Sequence, residues 1–210
     1  MKIIAISDTH RLHYKLNLPE ADMIIHCGDF SNNEIDCFSF LQWYSDLNYK
    51  YKILVAGNHD AFIERKGYEN FFNICKEYNI IYLQDTEITI EGIKFYGSPW
   101  VNIFGLWSFM DFEKNLEKHF AKISFDTNFL ITHGPAYQIG DLVQQDIMEP
   151  NVGSFSLKEK IKELKELKVH VFGHIHDDFG HHKQKTYDAY NVSIKNDYVN
   201  TINPYTLIEI

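Results

Sequence analysis

Short runs of aliphatic and β-branched residues recur along the chain, and each gives way to a polar turn that carries acids, amides or imidazoles. Lys2–Ile6 runs into Ser7-Asp8-Thr9-His10, Met23–His26 into Cys27-Gly28-Asp29, and residues 51–55 lead into Gly57-Asn58-His59-Asp60. Phe129–Thr132 ends in His133-Gly134-Pro135, and Val169–Phe172 in Gly173-His174-Ile175-His176. An unbroken apolar run of this length reads as a strand buried on both faces, which requires a covering layer on each side of its sheet. Residues 34–47 and 68–78 place Ile35, Phe38 and Leu41, then Phe71, Phe72 and Cys75, at helical spacing. Strands alternating with helices predict an α/β fold. Residues 88–90 and 93–96 flank Glu91-Gly92, a tight-turn pair that predicts an antiparallel hairpin and so a mixed sheet. Residues 156–167 read as a Lys/Glu-rich helix started by a Ser156/Glu159 capping box, its charges forming a solvated face.

A single acid or amide at a strand end commonly caps the next helix or turn. Five such ends, each delivering metal-ligating side chains, point instead to one shared site. Oxygen donors from Asp8, Asp29 and Asn58, mixed with imidazoles from His10, His133, His174 and His176, suit Mn²⁺, Fe²⁺ or Zn²⁺ and suit Ca²⁺ poorly. Seven ligands exceed one tetrahedral ion but fit two ions when a carboxylate bridges, the arrangement that clamps attacking and leaving oxygens at phosphorus. Converging buried ionisable groups without a cation would carry a large desolvation penalty. Glycine at 28, 57 and 173 is expected to let the backbone bend sharply at these ends.

The ordered set D-x-H, G-D, G-N-H-D, H and G-H-x-H, running from Asp8 to His176, resembles the calcineurin-like metallophosphoesterase superfamily. The wording of Ser7 to His10, Ile25 to Phe30, Gly57 to Phe62, Thr132 to Pro135 and Asn191-Val192-Ser193 is similar to its small branch of metallophosphoesterase-domain-containing proteins. The resemblance implies a single domain over residues 1–210, a four-layer αββα sandwich of two mixed β-sheets flanked by helices. It implies two divalent metal ions, Mn²⁺ first and Fe²⁺ or Zn²⁺ as alternatives, one held by Asp8, His10 and His176 and the other by Asn58, His133 and His174, with Asp29 bridging. It also implies that His59 protonates or stabilises the leaving oxygen while Asp60 orients its ring, and that a hydroxide shared by the ions attacks phosphorus. The implied activity is hydrolysis of small phosphodiesters such as cyclic nucleotides, with a phosphomonoesterase or a nuclease of nucleic-acid ends as alternatives. A non-catalytic metal-binding scaffold is the rival from another class; the presence of every ligand position and of His59 counts against it.

Charge narrows the partners. Twenty Lys and Arg against 29 Asp and Glu leave a formal charge of −9, which disfavours duplex nucleic acid and anionic membranes and favours a small phosphoester, a nucleotide among the candidates. Cys27, Cys37 and Cys75 are odd in number and lack C-x-x-C pairing, the pattern of reduced thiols in a cytoplasmic protein. Neither a signal-peptide core nor a membrane-spanning run is found. The uncharged aromatic stretch 96–110 is expected to form irregular structure, either a cleft wall that stacks a nucleobase or a surface used in a homodimer contact or ordinary packing. Residues 141–151 sit where a lid would. Arg11 is placed to steer a phosphate or to face solvent, His26 reads as a core histidine, His119 and His170 read as solvated imidazoles, and His13, His181 and His182, beside motif segments, read as surface imidazoles with substrate contact as the alternative.

Overall fold

In the computed structural model, which describes residues 1–144, 148, 150–197 and 202–210, the apolar runs are strands and their polar ends are loops. The first half contains β1 (Lys2–Ile6), β2 (Met23–His26), α1 (Glu34–Asp46), β3 (Tyr51–Leu54), α2 (Ala61–Lys66), α3 (Tyr68–Glu77) and the short β4 (Ile81–Tyr82). The hairpin β5 (Thr86–Ile90) and β6 (Ile93–Ser98) follows, then β7 (Val101–Asn102), β8 (Met110–Asp111), α4 (Glu113–Phe120) and β9 (Phe129–Thr132). The remaining elements are α5 (Phe155–Glu163), β10 (Val169–Phe172), β11 (Gly180–Lys183), β12 (Asp188–Asn191) and β13 (Thr206–Glu209).

Two large sheets result, one ordered β13-β1-β2-β3-β4 and the other β11-β12-β10-β9-β6-β5, with β7 and β8 forming a separate two-stranded pair. Each is parallel through its centre and antiparallel at an edge, where β13 joins β1 and where β5 and β11 join β6 and β12. Successive residues of a strand face opposite layers. In β1, Ile3 and Ala5 enter the apolar layer between the sheets with Ile25, Ile53, Phe95, Ile131 and Val171. Ile4 and Ile6 turn outward to Phe40, Leu41 and Tyr44 of α1 and Phe71 of α3. On the outer face of the second sheet, Leu116 and Phe120 of α4 and Leu157 and Ile161 of α5 pack on Leu130 and Phe172. The result is the αββα sandwich, and burial of the central strands on both faces explains why their sequences are continuous apolar runs.

The sheets are joined beside the polar ends. Ser7 donates its N–H to Val192 O at 2.9 Å and accepts from Ile194 N at 3.0 Å, one residue before Asp8, so that both sheets open onto one cleft. The β5–β6 turn forms as expected, Glu91 (φ 49°) and Gly92 (φ 81°) both taking the left-handed conformation of a type I′ turn. α5 differs from its expected span at both ends. Ser154, whose Oγ accepts from Leu157 N at 3.1 Å, caps it in place of Ser156, and the helix stops at Glu163 because Leu164 and Leu167 turn into the core.

Three histidines expected in solvent are packed. His170 is buried within β10 with Nε2 2.8 Å from Thr132 Oγ1, His119 stacks on Trp100 at 3.9 Å, and His13 lies against Phe40 and Trp43. The stretch 96–110 is also more regular than its glycines and proline suggest, since β6 extends to Ser98 and β7 pairs with β8 across the loop they enclose. Of the stretch 141–151, residues 145–147 and 149 lie outside the described residues, and the lid expected there concerns them. Among the described residues no helix is long and apolar enough to cross a membrane.

Candidate metal centre

The strand ends fold back sharply, and the backbone records the cost. Asp8 (φ 52°), His10 (φ 39°), Asp29 (φ 61°) and His174 (φ 69°) occupy the left-handed region that non-glycine residues rarely visit. Strain of this kind, about 1 kcal/mol or more per residue, persists only where the surroundings over-determine it. Here Asp8 N donates to Gly28 O at 2.9 Å, His10 N to Asp29 O at 3.0 Å, and His174 N to Asp8 Oδ2 at 2.9 Å. The glycines play two different parts. Gly28 (φ 108°) supplies the expected bend, whereas Gly57 and Gly173 are needed for space: a Cβ at Gly57 would fall on the Asp29 carboxylate, and one at Gly173 on that of Asp8.

All seven candidate ligands converge in the cleft. Ligand-type atoms of Asp8, His10 and His176 lie within 4.8 Å of one another, and so do those of Asp29, His133 and His174. Asn58 completes the second group, its Oδ1 3.0 Å from His133 Nε2. Asp29 stands between the groups, with Oδ1 3.4 Å from His133 Nε2 and Oδ2 3.8 Å from His10 Nε2. His59 lies at the rim, its Nε2 4.0 Å from Asp29 Oδ2 and its ring edge-on to His10.

The donor atoms face one another in the way that a cation resolves. His133 Nδ1 lies 2.8 Å from Cys27 O and donates to it, so in a neutral ring Nε2 directs a lone pair at Asn58 Oδ1 and Asp29 Oδ1. His176 Nδ1, 2.6 Å from Asp197 Oδ2, leaves Nε2 against His10 Nε2 at 3.3 Å and Asp8 Oδ1 at 3.5 Å. Asp8 Oδ1 is buried and has no hydrogen-bond donor. Protonation partly relieves this. Burial pulls His133 down, yet the Asp29 carboxylate beside it holds the ring up at about 9. Burial would raise both Asp8 and Asp29, but His176 and His133 respectively hold them well below the usual carboxylate range. Burial pushes His10 down to about 4 and His174 to about 3, keeping those rings in the neutral form that binds metal. The residues therefore fit two divalent ions: anionic oxygens, neutral imidazoles and an orphaned carboxylate oxygen in one place.

A supporting layer fixes these groups. His26 accepts from Gly28 N at 3.1 Å through Nδ1, so its Nε2–H is left for Thr9 Oγ1 at 3.0 Å, and it is the core histidine the sequence suggests. Asp60 is fully buried and accepts from Gly57 N, Asp29 N, Ser31 N and Ser31 Oγ at 2.7–2.9 Å. These bonds tie the Gly57 turn to the Asp29 turn, while the His59 ring rests on Trp107 at 4.2 Å, so the orienting contact expected of Asp60 is made by an indole. Burial and the Asp29 carboxylate push Asp60 up to about 7. Asn191 Nδ2 holds Ile175 O at 2.7 Å between the two histidines of G-H-x-H. Arg11 is exposed and turns to Asp36 at 3.5 Å.

Trp107 and Phe104 stand in the aromatic stretch 96–110 that the sequence marks as a candidate cleft wall, whereas sequence reasoning does not find Asp197. Phe104 lies 5.3 Å from the His174 ring, and Ser108 N donates to Asn58 O at 3.1 Å, so the loop between β7 and β8 is pinned over the group formed by Asn58, His133 and His174. No spacing rule links residues so distant; the aromatic composition of the loop is the one available signal.

Comparison with known proteins agrees with this geometry. The profile of the family described as calcineurin-like phosphoesterase matches residues 1–178. The chain belongs to that family. It is a metal-dependent phosphoester hydrolase, and the family uses dinuclear divalent metal centres, for which this cleft supplies candidate His and Asp ligands. The human and mouse proteins named metallophosphoesterase domain-containing protein 1 are each 30% identical over 234 residues, an alignment that covers 100% of this chain and 71% of theirs. Among solved structures, phosphopantetheinyl hydrolase from Mycobacterium tuberculosis superposes with a TM-score of 0.62 at 13% identity, covering 98% of this chain and 95% of that one. At that identity the likeness concerns the fold. Asp197, which holds His176, lies beyond the span the family profile covers.

Proposed function

We propose that this phosphoesterase is a phosphodiesterase acting on small phosphodiesters, cyclic nucleotides among them. The observation that carries the reading is the pair of ligand groups joined at Asp29, with His59 at their open edge. Asp8, His10 and His176 would hold one ion and Asn58, His133 and His174 the other, with Asp29 shared. Ions so held acidify water and neutralise charge on a phosphoryl group. The chain supplies the rest. Left-handed backbone at Asp8, His10, Asp29 and His174 fixes the ligands before substrate arrives. His59, side-chain exposure 27%, projects from the Asn58 turn into the open cleft, where Nε2 can give a proton to a departing alkoxide. Trp107 and His10 hold that ring on two sides.

A diester carries one negative charge where a monoester carries two, and among the described residues the cations beside the ligand groups are already paired, Arg11 with Asp36 and Lys195 with Asp197, while the opposite wall is aromatic. This favours diesters. The formal charge of −9 supports a small substrate over duplex nucleic acid, and the three buried free cysteines support a reducing compartment such as the cytoplasm. Mn²⁺ heads the metals to test, because mixed nitrogen and oxygen donors accept it without the thiolates that zinc sites often use. The test is metal content on purified protein beside hydrolysis of a nitrophenyl monoester, a nitrophenyl diester and 2′,3′- and 3′,5′-cyclic nucleotides with Mn²⁺. About two ions per chain and faster turnover of the diesters, abolished by a chelator, are the expected results. Faster turnover of the monoester overturns the diester reading.

A further inference from the structure

The two flanks of the metal centre differ in chemistry. On the His10 side lies a groove of about 330 Å³ lined by polar groups, among them Arg11, His13, Asp36 and Ser39. On the His174 side a cavity of about 520 Å³ opens behind Phe104, its wall running through Trp100, Val101, Pro135, Val152 and Leu157. That volume is in the range of small-molecule sites. His174 belongs to this wall and also lies 5.0 Å from the His133 ring, so the cavity adjoins the metal centre. Among the described residues no Lys, Arg, Asp or Glu lines it.

Apart from His174, the polar side chains in the cavity wall direct their donors to the protein. Asn102 Nδ2 donates to Val152 O and Gly153 O at 3.4 Å, and Asn151 Nδ2 to Asp141 Oδ1 at 2.6 Å. Ser154 Oγ donates to Glu113 Oε1 at 2.8 Å while it accepts from Leu157 N, and Trp100 Nε1 donates to Asp85 Oδ2 at 3.0 Å. Asn102 Oδ1 is left without a partner, but it is buried and offers a single acceptor. A nucleobase edge brings several donors and acceptors, and each one desolvated without a partner is costly. A hydrocarbon arm brings none and gains from every methylene removed from water.

We propose that the cavity beside His174 binds an uncharged, hydrocarbon-rich arm of the phosphodiester, so that the preferred substrates are unsymmetrical diesters with one apolar alcohol. This rests on the phosphodiesterase reading above. It adds a selectivity that the metal ligands do not contain: the apolar arm lies along Val152 and Phe155, and the second arm points to the polar groove at Arg11.

The test uses alkyl(methyl)phosphinates, in which carbon replaces both ester oxygens so that no bond can be hydrolysed and the diester's single charge is kept, titrated into the Mn²⁺-loaded protein while tryptophan emission is followed. The alkyl group runs from methyl through butyl to hexyl, with the methylphosphinate of 5′-deoxythymidine, joined through carbon, as the nucleoside comparison. Affinity should rise roughly threefold to fourfold per methylene until the cavity is filled. Val152→Asp should flatten the series, and Phe155→Gln, altering a side chain that is 52% exposed, gives the same reading on a second position should the first variant fold poorly. Equal affinity for methyl and hexyl ligands overturns the proposal, as does tighter binding of the thymidine ligand than of the hexyl one. Turnover of a nitrophenyl diester measured alongside separates the two readings: chain-length-independent binding by an active diesterase defeats the cavity assignment alone. A retained chain-length series in a protein that hydrolyses no diester supports the cavity and defeats the reaction.

Discussion

The floor of the cleft and its wall are built on opposite terms. The floor consists of strand ends from both sheets, with Asp8, Asp29, Asn58 and His133 buried and backbone in strained conformations. The wall is a loop whose apolar side chains stand in solvent: Phe104 is 58% exposed and Trp107 50% exposed, yet they touch His174 and His59. The floor is largely buried, so charge there is strong and rigidly placed, whereas the wall contributes contact area and little field. The difference teaches that reaction and selectivity are separable in this molecule, and substitutions on each side should fail in different ways.

The sharpest break in that comparison comes from Asp29→Ala, which removes the one side chain shared by both ligand groups. Bound metal should fall from about two ions per chain to one or none and turnover to background, as read by elemental analysis and ester hydrolysis. His59→Asn tests the boundary between floor and wall. Metal content and fold should be kept while turnover drops by roughly 10²–10⁴, the range for loss of a general acid, and unchanged turnover would remove His59 from that role. Next in size is Asp197→Asn, expected to weaken metal affinity by roughly 10–100-fold in a chelator competition, because the carboxylate that orients His176 is weakened while every direct ligand stays. The smallest effect belongs to the wall. Trp107→Ala should cost up to about tenfold in kcat/KM, in line with ~0.5–1.5 kcal/mol for an aromatic pair, and Trp107→Phe should recover most of it; a loss as large as that of His59→Asn would erase the distinction between the two regions.

Legibility in the sequence follows the same division. Strands such as Lys2–Ile6 and Val169–Phe172 and the hairpin at Glu91-Gly92 could be read directly, because burial on both faces and left-handed turn geometry leave unambiguous residue patterns. The candidate ligands could be read for a related reason: each follows a strand immediately, and few other arrangements of acids and imidazoles recur five times along one chain. What could not be read depends on side chains meeting across long separations. His170 looked solvated beside a charged helix, but its strand register turns it toward Thr132. Asp60 follows His59 in sequence, yet its carboxylate points away to Ser31 and the Gly57 turn. Asp197 reaches His176 across 21 residues with no periodicity to announce it.

The two glycines that make room for carboxylates have a consequence for stabilising this enzyme. Gly-to-Ala replacement is a standard way to raise a melting temperature, and candidate positions are commonly accepted when the backbone is not left-handed. Gly57 and Gly173 pass that filter, since neither has the positive φ of Gly28. An alanine methyl at either position would nevertheless lie on the Asp29 or Asp8 carboxylate. A thermostability screen scored on folding alone would thus retain or reject these substitutions for reasons unrelated to turnover, and library design for this scaffold should hold both positions fixed.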